Sequence, residues 1–408
     1  MTSRTFASLL IVLAWPGSSA LGQVRLPDGP GKDAVQAHCT QCHDLGRVTG
    51  AGHTPQEWRT VVDMMVNDGA TIPHDQVATV VAYLAQHFPA RGAPQPVLIA
   101  GPAQVRFTEW ALPTPGSRPH DPLAAADGSI WYTGQMANVL GRIDPATGTI
   151  KEYPLTTPSS GPHGLVEDTN GNIWFTANFK AYVGKLDPAT GHVTEYPMPE
   201  AGARDPHTPV FDQHGILWFT LQGANMLGRL DPATGAVKLV TSPTHHSNPY
   251  GVVISSTGVP FFAEFGSNKI GRIDPATMAI KEYVLPNPAA RPRRIAITSD
   301  DVIWYTDYAR GYLGRLDPQT GSVKEWASPG GAKSRPYGIA ALNDVLWYCE
   351  TGVEPNTLVR FDPKTEKFQT WVIPAGGGVV RNMSVTRDGN LALAESGVNM
   401  VALVRIER

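Results

Sequence analysis

The sequence predicts an all-β seven-bladed β-propeller preceded by a small all-α domain, and three observations predict it. Aromatic pairs recur at Trp131-Tyr132, Trp174-Phe175, Trp218-Phe219, Phe261-Phe262, Trp304-Tyr305 and Trp347-Tyr348, in steps of 43 or 44 residues. Asp-Pro-x-Thr begins in the same phase at Asp144, Asp187, Asp231, Asp274, Asp317 and Asp362. Ahead of the repeat, residues 39 to 43 read Cys-Thr-Gln-Cys-His between segments of helical periodicity. A period in the low forties is that of a propeller blade, whereas the pentapeptide is a chemical attachment signal.

Taken in order, the first 22 residues have one Arg, an apolar stretch from Phe6 to Trp15, and the small residues Ser18, Ala20 and Gly22 where a signal peptidase cuts. Ten apolar residues are too few to span a bilayer. The expectation is an exported, periplasmic protein starting near Gln23, with no membrane span after cleavage; an uncleaved anchor is the alternative. Charged residues make up 17% of the chain and the net charge is −3, which provides no basic field for nucleic acid or acidic lipid.

Residues 23–89 form the predicted helical domain. Cys-x-x-Cys-His attaches a c-type haem: Cys39 and Cys42 add to the porphyrin vinyl groups and His43 becomes the proximal iron ligand. Thioredoxin-like redox use of the two cysteines requires a βαβ surround, and these flanks are helical. Thr54, Pro55 and Glu57 carry the signature of a capped helix start, and the helix runs to about Asn67. Trp58, Val61, Val62 and Met65 fall on one face, which makes Met65 the expected axial ligand. Met64 is the alternative, followed by His53, His74 and His87. A closing helix carries Val77, Val80, Val81, Leu84 and Phe88 on one stripe. The stretch resembles small single-haem cytochrome c domains. The third cysteine, Cys349, lies in the strand-like run VLWYCE and reads as a buried apolar residue.

Residues 90–104, rich in Pro, Gly and Ala, form a linker, and residues 105–408 form the propeller. Each unit reads as a short strand, a turn, an aromatic strand, a strand ending in sequences such as GRID, the turn DPATG, and an outer strand. Outer strands and three-strand sets each number seven, provided that FTEWALP near residue 107 joins the last three strands. That arrangement closes the ring and removes its open edge. An open solenoid is the alternative.

One position per blade should ring the channel mouth just ahead of the innermost strand: His120, His163, His207, Tyr250, Arg293, Tyr337 and Arg381. Those ending the aromatic strands should open on the same face: Gly134, Ala177, Leu221, Glu264, Asp307, Glu350 and Glu395. Four acids thus share a half with Arg293 and Arg381. They read either as buried ion pairs or as a polar mouth that binds a small molecule, a peptide or a metal.

The units GPHGLVEDTNGNIWFTANFKAYVGKLDPATGHVTEYPMP and DPHTPVFDQHGILWFTLQGANMLGRLDPATGAV resemble those of the virginiamycin B lyase (streptogramin lyase) propellers. The resemblance implies Mg²⁺-assisted elimination at the ester of a cyclic depsipeptide. Its working histidines and acid map onto His163, Asp205 and His207. Three functions are therefore expected of this chain. It is an exported cytochrome whose propeller binds a substrate or a periplasmic redox partner protein, a lyase with an appended cytochrome, or a docking propeller without chemistry.

Overall fold

The structure is a computed structural model that describes residues 25–40, 45–67, 70–90 and 92–407. The signal-peptide reading and two of the haem-attachment residues, Cys42 and His43, lie outside the described residues. The chain forms two compact units that divide in sequence near residue 91.

The first unit is helical, with α1 (Lys32–Cys39), α2 (Gly46–Thr49), α3 (Pro55–Asn67) and α4 (His74–His87). At the start of α3, the Thr54 N–H donates to the Glu57 carboxylate at 2.7 Å and the Glu57 N–H to Thr54 Oγ1 at 3.3 Å. This reciprocal pair satisfies two backbone donors that a helix start leaves open. Trp58 and Val62 of α3 are buried with Val35, Leu45, Val48, Val77, Val80 and Leu84 in one core. The Trp58 indole N–H donates to the Phe88 carbonyl at 2.8 Å, which ties α3 to the end of α4. Tyr83, which lies off the expected stripe of α4, is also buried and donates its hydroxyl to the Pro27 carbonyl at 2.6 Å.

The second unit is a seven-bladed propeller of seven four-stranded antiparallel sheets. Six blades use four consecutive strands. The last places Gln104–Ala111 beside Met400–Glu407, paired from Gln104 with Glu407 to Ala111 with Met400. The N-terminal strand thus completes the last blade as its outermost strand and closes the ring.

The pleat explains the aromatic pairs. Neighbouring residues of a strand point to opposite faces, so the first aromatic faces one neighbouring blade and the second faces the other. Trp131 shares a core with Phe175, Trp174 with Phe219, Trp218 with Phe262, Phe261 with Tyr305, and Trp304 with Tyr348. In the degenerate copy, Leu393 meets Trp347 and Ala392 meets Tyr132. The outer strand backs the first aromatic: Trp131 stacks on Tyr153 and Trp174 on Tyr196, both at 5.2 Å between ring centres.

The turn between the third and fourth strands closes as its sequence requires. The Asp144 carboxylate accepts the Ala146 N–H at 2.9 Å, and Gly148, at φ +73°, returns its N–H to the Asp144 carbonyl at 2.7 Å. A different constraint fixes the glycine of the third strand. A Cβ on Gly184 falls 2.2 Å from Cζ of Phe175, whose ring lies over the bare backbone. Gly184→Ala is therefore expected to destabilise the propeller by about 1–3 kcal/mol, the cost of overpacking a filled interior. The denaturant midpoint of the purified chain measures it.

Candidate functional site at the channel mouth

The seven ring residues lie within the innermost strands, each as the second residue, and not ahead of them as the sequence suggested. The cause is a β-bulge. Between Pro206 and Pro209 the register with the neighbouring strand slips by one residue, and the same slip occurs in all seven blades. The extra residue breaks the ladder and re-aims the side chains beside it.

A threonine repairs the break in four blades. Thr133, Thr176, Thr220 and Thr306 follow the aromatic pair and are fully buried. Their hydroxyls accept the bulge N–H groups of Asp121, Gly164, Thr208 and Arg294 at 2.9–3.3 Å. The same hydroxyls donate to the carbonyls of His163, His207, Tyr250 and Tyr337 in the next blade at 2.5–2.9 Å. Each threonine therefore fixes the ring residue of its neighbour. The repeated Thr was visible in the sequence, but its partner one blade away was not.

The histidine half of the ring is a continuous stack. Ring centres of His120 and His163 are 3.6 Å apart, those of His163 and His207 3.7 Å, and those of His207 and Tyr250 4.0 Å. All three histidines are at most 3% exposed. Burial pushes each imidazole well below its ordinary value, and Arg294 adds to this for all three. The imidazoles are accordingly neutral. Nδ1 of His163 is buried without a hydrogen-bond partner.

On the other half, the Tyr250 and Tyr337 hydroxyls hydrogen-bond each other, and Arg293 donates to the Tyr250 hydroxyl at 3.2 Å. The Arg293 guanidinium stacks 3.8 Å from the centre of the Tyr337 ring, a contact that stabilises a desolvated cation. One step deeper, Arg294 crosses the channel to donate to Asp121 at 2.6 Å and to Thr208 Oγ1 at 3.2 Å. Asp121 also accepts from His120 Nδ1 at 2.9 Å. Sequence reasoning missed this second layer. Its only signal was that charged residues follow the ring position in two blades, at Asp121 and Arg294.

The four acids do lie next to the ring, since Glu264, Asp307, Glu350 and Glu395 pair across the sheet with the residue preceding each ring position. They do not pair with Arg293 or Arg381, which corrects the ion-pair reading. Asp307 binds Arg310 at 3.0 Å, and Glu350 accepts from Ser328 Oγ, the Gly330 N–H and Thr357 Oγ1. Burial pushes Glu264 up to about 7. Burial and then the charge of Glu109 push Glu395 up to about 8. Each acid finds donors, or keeps its proton, closer to its own strand than the channel.

Of the residues singled out from the sequence, His163 and His207 are brought together. Asp205, at φ +60°, turns its carboxylate to the Gly223 N–H at 2.8 Å and to the Asn178 amide. His120, Asp121 and His163 place one ligand atom each within 4.8 Å of one another. Two imidazole nitrogens and a carboxylate already bound to Arg294 do not suit Mg²⁺, which takes oxygen ligands in octahedral geometry. These residues therefore do not fit the ion that the lyase resemblance implies.

Cys39 and Met65 are the two expected haem-site residues among those described. Cys39 ends α1, half-buried against the core of its unit. Met65 and Met64 both sit half-buried on α3, outside the buried cluster of Trp58 and Val62, which leaves a thioether uncommitted to packing. Burial does not separate the two. His53 packs edge-on to Trp58 and His87 against Tyr83, while His74 begins α4.

The sequence profile of the virginiamycin B lyase family matches residues 101–329. Among solved structures, a streptogramin B lyase is similar with a TM-score of 0.68 and 28% identity, over 74% of this chain and 98% of that one. Selenomethionine-substituted virginiamycin B lyase from Staphylococcus aureus is similar with a TM-score of 0.66 and 26% identity, over 74% and 99%. A catalytically inactive His-to-Ala variant of the S. aureus enzyme with quinupristin superposes with a TM-score of 0.67 at 24% identity, over 74% and 99%. No curated protein matches the chain by sequence.

Two outcomes follow from this geometry. Arg294→Met strands the Asp121 carboxylate in the channel and should cost about 3–5 kcal/mol, whereas the double variant with Asp121→Asn should recover most of it. Urea midpoints of the three proteins measure the coupling. For Glu395, the folded value of about 8 lies above the ordinary 4.5. The folded state thus holds a proton that the unfolded chain has lost, and stability should fall as pH rises from about 4.5 to about 8. Glu395→Gln should flatten that fall, as read from denaturant midpoints across the range.

Proposed function

This chain belongs to the virginiamycin B lyase family, and from that premise we propose that its propeller is the ligand-binding part of an exported, periplasmic c-type cytochrome. The observation that carries the reading is Cys39-Thr-Gln-Cys42-His43, since two thiols and an imidazole at this spacing attach and ligate haem. When bound, the haem supplies one-electron transfer at an iron whose potential a methionine ligand raises. The chain's own residues hold the group: Cys39 at the end of α1, Cys42 and His43 beyond it, and Met65 from α3. The propeller presents the small molecule or periplasmic redox partner at the channel mouth, where His163, His207, Tyr250 and Arg293 converge. Tethering the two units on one chain keeps their concentrations relative to each other high.

A second reading rests on the histidine stack. A neutral imidazole at His163 or His207 is in the form that accepts a proton. In this reading the propeller abstracts the α-proton of a bound ester and opens a cyclic depsipeptide, as the lyase resemblance implies, with Asp205 positioning the neighbouring loop.

One preparation tests both. The full chain is made in a host that matures cytochromes, then examined by reduced-minus-oxidised spectroscopy before and after acid–acetone extraction, and assayed with a cyclic depsipeptide. We expect haem absorbance that survives extraction, lost in a Cys39→Ser, Cys42→Ser variant. A methionine–iron charge-transfer band should vanish in Met65→Ala and persist in Met64→Ala. A colourless protein of bare polypeptide mass would overturn the cytochrome reading. Ring opening that disappears in a His163→Ala, His207→Ala variant would establish the lyase instead.

A further inference from the structure

Three arginines gather at the channel with one carboxylate, Asp121, to offset them. Arg293 and Arg381 hold the ring positions of blades five and seven, on either side of Tyr337, and Arg294 lies one step deeper. Among the described residues, Asp121 is the one carboxylate bonded to any of the three, through Arg294. The neighbouring acids offer little here, because Asp307 is paired with Arg310, Glu350 is held by hydroxyl and backbone donors, and burial raises Glu264 to about 7 and Glu395 to about 8, so that neither carries a full charge near neutrality.

Guanidinium N–H groups here also lack acceptors. Arg381 is half-buried, its Nε is buried without an acceptor, and none of its nitrogens makes a hydrogen bond among the described residues. Nε of Arg293 is likewise buried without an acceptor, and the residue's one hydrogen bond goes to the Tyr250 hydroxyl. Its planar faces are occupied, with Tyr337, Tyr308 and Phe265 ring centres at 3.8, 4.5 and 4.7 Å. Stacking consumes the faces of a guanidinium and leaves its N–H groups, which point outward in the plane, to meet an acceptor. A buried donor with no acceptor is costly. That cost is relieved by a bound anion with several oxygens, to which arginine forks donate in pairs. The local field points the same way: burial raises the Tyr337 hydroxyl, while Arg293, Arg381 and Arg294, together with its hydrogen bond to Tyr250, draw it down.

We propose that the Arg293 and Arg381 side of the mouth binds an oxyanion, a carboxylate or phosphate group carried by the propeller's small-molecule substrate. This rests on the mouth being the ligand face. The neutral histidine stack then faces the uncharged part of the same molecule.

The test is calorimetric titration of the purified full chain with inorganic phosphate, benzoate, benzamide and sodium chloride at matched ionic strength. Binding of phosphate or benzoate, but not of benzamide or chloride, is the expected result, and which of the two binds more tightly identifies the group. Arg381→Gln should weaken that binding by about tenfold or more, and Arg381→Lys should recover part of it. Because Arg381 makes no hydrogen bond in the protein and its buried Nε has no acceptor, its substitution should not lower the melting temperature, which separates lost binding from lost folding. Unchanged anion affinity in Arg381→Gln, or no anion binding in the wild type, overturns the proposal. Equal binding of benzamide and benzoate also overturns it while leaving the mouth as a ligand face, and the haem state is read optically, independently of the titration.

Discussion

Closure of the ring is the constraint on which the site depends. Once the strand Gln104–Ala111 pairs with Met400–Glu407, seven copies of one backbone position must converge on a single axis. The side chains there cannot avoid one another, so imidazoles, phenols and guanidiniums far apart in sequence come into van der Waals contact. The threonine bridges convert that crowding into order. Each hydroxyl satisfies the N–H freed by its own bulge and the carbonyl of the next ring residue. A ring residue's placement is thus set by the blade before it as well as by its own strand.

The fold was legible because a repeat states its rule several times. Aromatic pairs, glycines and Asp-Pro turns recur at the positions where pleat, packing and turn geometry demand them. The degenerate copy is instructive, since Ala392 and Leu393 fill the same two interfaces with smaller groups. The ring residues were legible for the same reason, although their position within the strand was not, because a bulge adds a residue without a sequence mark of its own. The contact between Asp121 and Arg294 was invisible, as it joins positions 173 residues apart across the axis. The partners of the acids were not legible, because proximity in a ring does not choose among them. Asp307 has Arg310 three residues away, and a local donor reached at small entropic cost is taken before a distant one.

The ring sequence has diverged into halves with different physics. Histidines in blades one to three stack closely enough that protonating one would disfavour protonating the next, so that half remains uncharged. Arginines in blades five and seven carry positive charge and are kept apart by the tyrosine of blade six. A chain with a net charge of −3 therefore places a positive patch at the centre of its propeller. Net charge accordingly gives no guide to what the mouth attracts, and the local arrangement does.

The halves are nevertheless not independent. Burial is the first cause that keeps His163 neutral, followed by His207 and then by Arg294 and Arg381. Arg294 belongs to blade five, across the axis from the histidines, and Arg381 to blade seven, which packs beside the blade of His120. Electrostatic influence through a low-dielectric interior requires no movement. Any negative charge held against Arg294 or Arg381 therefore weakens one of the forces that deprive His163 of its proton, and makes that imidazole a stronger base. The Asp121 carboxylate already acts in this sense on Arg294, which is why the pair matters beyond stability. It sets how much positive field the histidine stack experiences, through residues that never touch His163 directly.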